Sequence, residues 1–98
     1  PEIVWNGQSD ITVGNTVKLL DYFVVNTAET EAIPANSYEL LQVREITDKN
    51  NNSIIQLYDE AQKSITFPQS GIYTITFYVR DTRQKETVAK IEIPVNPE

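Results

Sequence analysis

From residue 73 to residue 80 apolar and polar side chains alternate strictly: Tyr73, Ile75, Phe77 and Val79 face one way, and Thr74, Thr76, Tyr78 and Arg80 face the other. Only an extended strand has a side-chain period of two, so this stretch is a strand with one buried face and one solvent face. Residues 81–85 form a turn-like stretch, and beyond it Ala89, Ile91, Ile93 and Val95 alternate with Lys90, Glu92 and Pro94. The two strands make an antiparallel hairpin. Pro94 has no amide hydrogen to donate, so the last strand keeps an open side there, as an edge does.

The same reading extends upstream. Residues 64–67 are a short strand stopped by Pro68, with Gln69, Ser70 and Gly71 as the turn into the long alternating strand. Residues 37–47 and 53–58 flank the turn-forming run Asp48-Lys49-Asn50-Asn51-Asn52 and read as a second hairpin. Nearer the start, 3–5 and 11–13 are strand fragments, 16–25 is the longest apolar-rich strand candidate, and 26–36 is a long irregular connection. No stretch keeps a helical period; residues 29–35 are too short and run into proline. About seven strands, with turn signals roughly every ten residues, predict an all-β chain folded as an immunoglobulin-like antiparallel β-sandwich. An up-and-down barrel and an open sheet packed on a partner are the alternatives. Residues 1–98 make a single domain, and 40% hydrophobic content supplies one core. The predicted core is Val17, Leu19, Phe23, Leu41, Val43, Ile65, Phe67, Tyr73, Ile75, Phe77, Val79, Ile91 and Ile93.

Charge and missing residue types narrow the function. Eight Lys+Arg against fourteen Asp+Glu give a net charge of -6, which repels phosphate backbones, so no nucleic-acid partner is expected. The basic residues form no polybasic segment and no apolar run approaches a membrane span, so no direct membrane insertion is expected and the chain reads as soluble. Histidine, cysteine and methionine are absent, which removes the commonest general base, the thiol nucleophile and the usual soft metal ligands. The chain starts at Pro1 without an initiator methionine and has Pro97 near its end, so it reads as a module excised from a larger multidomain protein.

Phe67, Pro68, Gly71, Tyr73, the alternating residues to Arg80, and Asp81 resemble the signature region of bacterial immunoglobulin-like surface domains, in which a Gly-x-Tyr enters the penultimate strand and an Asp closes it. The final strand, residues 87–95, and Ile11-Thr12-Val13-Gly14-Asn15 followed by Val17 and Leu19 fit the same pattern. The Gly-x-Tyr motif is shared by cadherin-like, polycystic-kidney-disease-like and fibronectin-like sandwiches, and the Asp-Gly-rich motif of the second group is missing here. Physically, Gly71 permits a positive φ, and Tyr73 can bury its ring while its hydroxyl bonds backbone at the corner. Ile75 stands where antibody domains carry their second cysteine, so plain packing replaces the disulfide. The resemblance implies a non-catalytic module of an extracellular or cell-surface bacterial protein, acting in adhesion or as a structural spacer. Its partners would be neighbouring domains of the same chain and a host or cell-wall protein or glycan.

Specific sites are weighed against this. A catalytic carboxylate pair is the remaining enzymatic option, but Glu29, Glu31, Glu39, Glu45 and Glu60 read as loop or solvent-facing positions, and no catalytic residue is assigned. A carbohydrate-binding face would use exposed aromatics, with Trp5, Tyr58 and Tyr78 as the ligand-binding candidates ahead of Tyr22 and Tyr38. No cofactor is required, although calcium is an option, as in a calcium-stabilised cadherin-like module: Asp48, Asn50, Asn52 and Asp59 fall at the first, third, fifth and twelfth positions of a calcium-loop spacing. Ser53 replaces the glycine of that loop, Asp59 replaces its glutamate, and a polar hairpin turn accounts for the same residues. Asn51-Asn52-Ser53 is also a glycosylation sequon. The strand edges at 87–95 and 37–47 offer β-augmentation, with Lys90, Glu92 and Pro94 guarding the former.

Overall fold

The structure is a computed structural model that describes residues 2–5, 10–26, 33–38, 40–80 and 83–98. Most of the 26–36 connection and Asp81, the residue closing the signature region, lie outside the described residues, as do Glu29, Glu31 and Glu39. Nine strands are described: β1 (Glu2–Trp5), β2 (Ile11–Thr12), β3 (Thr16–Lys18), β4 (Phe23–Asn26), β5 (Ile33–Pro34), β6 (Leu41–Thr47), β7 (Ser64–Thr66), β8 (Gly71–Arg80) and β9 (Glu86–Asn96). They form three sheets in the orders β1-β4-β5, β2-β9-β8-β6 and β3-β7.

The β8–β9 hairpin is as the alternation requires, in continuous antiparallel register from Gly71 opposite Val95 to Arg80 opposite Glu86. On its other side β9 pairs, among the described residues, with the short parallel strand β2 at Val95 and Asn96, and the Val13 amide donates to the Asn96 carbonyl at 3.0 Å. At the entrance to β8, Gly71 has φ +136 and the Tyr73 hydroxyl donates to the Gln69 carbonyl at 2.6 Å, closing the corner.

The structure describes nine strands where about seven were expected, and it corrects four readings; the connection 26–36 is not wholly irregular, since Ile33–Pro34 forms β5 against β4. Residues 16–25 are not one strand. A 3-10 turn, Leu19–Tyr22, divides them, so β3 pairs with β7 while β4 pairs with β1 and β5. Both Leu19 and Leu20 are buried, which a period of two forbids and a tight turn allows. Residues 53–58 are not the second arm of a hairpin either. Ser53 makes one bridge to Thr47, Ile54 donates to the Ile46 carbonyl at 2.7 Å, and the chain then turns through Ile55–Leu57. The described part of 37–47 begins as a 3-10 turn, Ala35–Ser37, so β6 starts only at Leu41.

One hydrophobic cluster draws on all three sheets. Of the predicted core, Leu41 and Ile91 are half-buried against it and the other eleven are buried. Ile3, Ile11, Leu20, Val25, Ala35, Ile46 and Val95 join them. Ile46 is inside because β6 carries a bulge between Val43 and Glu45: Val43 pairs with Phe77 and Glu45 with Thr76, so Arg44 is an extra residue and the inward phase moves by one. Phe23 of β4 meets Phe77 of β8 edge to face, centroids 4.8 Å apart, and so ties the three-stranded sheet to the four-stranded one.

Candidate functional site

Alternation puts Tyr78 and Arg80 together on the outer face of β8, and Gln42 stands directly across from Tyr78 on β6. Arg44, with no cross-strand partner of its own, lays its guanidinium over the Tyr78 ring at 3.9 Å from the centroid, a cation–π contact. Leu40, Gln42, Arg44, Tyr78 and Arg80 line a cavity of about 220 Å3 there. The Tyr78 hydroxyl donates to Glu86, and that bond, helped by partial burial, raises its pKa, while Arg80 and Arg44 pull the other way. The Arg80 Nε is buried and has no hydrogen-bond partner among the described residues.

Tyr58 lies around the other side of β6. Its segment turns away after Ile54, so the β6 edge faces an open groove of about 360 Å3 lined by Gln42, Val43, Arg44, Ile55, Tyr58 and Glu60. A second groove of about 480 Å3 continues from Tyr58 toward Leu20 and Lys63. The Tyr58 ring is half-buried against the core instead of standing in solvent, and burial together with Glu60 and Asp59 pushes its pKa up to about 12. Gln42 and Arg44 border both the Tyr58 groove and the Tyr78 cavity, so these two tyrosines flank one strand.

Trp5 is not part of that surface. It belongs to β1 of the three-stranded sheet, stacks on Tyr22 at 5.4 Å and 10°, and meets Phe23 edge-on at 5.3 Å. The Tyr22 ring covers one face of the indole and Phe23 adds an edge contact, as packing at a sheet margin does for a half-buried tryptophan.

The residues of the calcium-loop spacing divide between two turns. One Asp48 carboxylate oxygen accepts from the amides of Asn50 at 2.8 Å and Asn52 at 2.9 Å, and the other accepts from the Asn52 side chain at 3.3 Å. Asn51 takes φ 64 to complete this turn, and the donors, the Asn52 amide first, hold the Asp48 carboxyl below the usual carboxylate range. Asp59 instead bridges Ser64 through backbone and accepts from the Gln62 amide at 3.1 Å. Asn50 and Asn52 thus present amide hydrogens to Asp48, and no group of three or more acidic, histidine or cysteine ligands converges among the described residues. Among the acids considered for catalysis, Glu45 accepts from the Ile46 amide at 3.0 Å and from the Ser53 hydroxyl, while Glu60 borders the Tyr58 groove.

The sequence reading passed over Gln42, Arg44 and Arg80. Arg80 was legible, two residues after Tyr78 on the same face; Arg44 was not, because its position depends on the bulge. Comparison of the chain with known protein families, characterised proteins and solved structures returns no match.

Proposed function

We propose that the chain is a non-catalytic, immunoglobulin-like β-sandwich module of a bacterial surface or secreted protein, acting in adhesion or as a structural spacer beside neighbouring domains. The sandwich reading is supported by the Phe23–Phe77 contact, which joins sheet β1-β4-β5 to sheet β2-β9-β8-β6. The functional half of the reading is carried by where the best-made polar contacts go: Asp48, Asp59 and Tyr73 each close a backbone turn. Polar side chains spent on turns stiffen a scaffold, whereas a catalytic site aims them at a substrate.

A carbohydrate-binding role is the second reading, favoured by Tyr78 with Gln42 and Arg44 beside it on the outer face. The test is an array of glycans, cell-wall proteins and host-matrix proteins probed with the labelled chain, in calcium and in chelator. Adhesion predicts saturable binding to one class with the ligand recovered intact, and a spacer predicts none. Ligand cleaved or modified in proportion to the amount of chain would contradict both.

A further inference from the structure

On a chain of net charge -6, two guanidinium groups meet at one tyrosine. Arg80 shares the outer face of β8 with Tyr78, and Arg44 reaches the same ring from the bulge of β6. Bulges re-aim side chains, and here the re-aimed residue is an arginine. The buried Arg80 Nε–H has no acceptor among the described residues, and an unpaired buried donor lowers stability unless something supplies one. Glu86 stands across from Arg80 in the strand register, but it accepts from the Tyr78 hydroxyl. Guanidinium groups are matched in charge and fork geometry by carboxylates.

The geometry points to a carboxylate-binding pocket for one acidic sugar unit, with the carboxylate held between Arg80 and Arg44 and the sugar hydroxyls met by Gln42. The cavity, about 220 Å3, fits a ligand smaller than drug-sized. The Gln42 amide both donates and accepts, as neighbouring hydroxyls require. This deepens the carbohydrate reading above and rests on it.

The test titrates the whole chain with an oligogalacturonate, a matched neutral oligosaccharide and sodium sulfate at low ionic strength. Arginine Nε–H and aromatic resonances are followed by NMR. The uronate should move the Arg80 Nε–H and Tyr78 ring signals saturably, while the neutral sugar and sulfate leave them in place. Arg80→Gln and Arg44→Gln should each weaken uronate binding about tenfold or more, and Glu86→Gln should tighten it by removing a like charge. Arg44 is exposed, so Arg44→Gln keeps the test decisive if Arg80→Gln fails to fold. An Arg80 signal unmoved by uronate overturns the proposal, as does an equal response to sulfate, which marks an adventitious ion only. Neutral-glycan binding that survives both arginine substitutions overturns it too, yet leaves the broader carbohydrate reading standing.

Discussion

Asp48 holds its turn as a charged group, and that gives the turn a pH dependence. Its carboxyl is more acidic in the folded chain than the ordinary value of 3.8, so its contribution is present above that value and disappears as pH falls through the folded pKa. Asp48→Ala should therefore lower the melting temperature at pH 7, and thermal melts near pH 2 should show the gap to the parent closing. Tyr58 has the opposite sign. Its folded pKa is raised from 10.0 to about 12, so stability is unaffected by this group below the lower value and falls as pH rises between them. Tyr58→Phe should flatten that alkaline slope in urea titrations; an unchanged slope would assign it to other tyrosines. Tyr73→Phe removes the bond to the Gln69 carbonyl and should cost about 0.5–1.5 kcal/mol by equilibrium denaturation. Gly71 and Tyr73 were legible in the sequence because a positive φ and a half-polar ring at a strand entrance are local requirements. The stacking of Trp5 on Tyr22 was not, since Tyr22 reaches it only after the chain has turned through Leu19–Tyr22.

At the scale of elements, long strands were legible and short interrupted ones were not. β8 and β9 carry an unbroken period of two, and nothing competes with it. The segment 16–25 misled because its apolar content looks strand-like, although adjacent Leu19 and Leu20 before Asp21 already break the alternation. Asn36 then donates to the Asp21 carboxylate, linking the Leu19–Tyr22 turn to the Ala35–Ser37 turn. In the same way Ile54 and Ile55 sit side by side where the chain leaves β6. The bulge makes a sharper prediction: Ile46→Ala should cost about 2–5 kcal/mol and Thr47→Ala no more than about 0.5 kcal/mol. Comparable losses at the two positions in urea denaturation would mean that β6 runs without its extra residue. Phe77→Ala, on the central strand and fully buried, should cost about 3–5 kcal/mol.

For the whole molecule, periodicity told which residues of the long strands face inward and paired β8 with β9, but not how the remaining strands are arranged. The parallel pairing of β2 with β9 and the transfer of the chain from β3 to β4 between sheets are contacts across long sequence separations, and no local pattern encodes them. For the same reason the sequence shows Tyr58 and Tyr78 as separate residues, and only the assembled sheet brings them to either side of β6 with Gln42 and Arg44. The proposed fold requires the two larger sheets to lie face to face as one sandwich. A double-mutant cycle of Phe23→Leu and Phe77→Leu, read by urea denaturation, tests this directly. The account predicts a coupling of about 0.5–1.5 kcal/mol between the two rings. Losses that add to within about 0.3 kcal/mol would contradict it, because rings in contact across the core do not act independently.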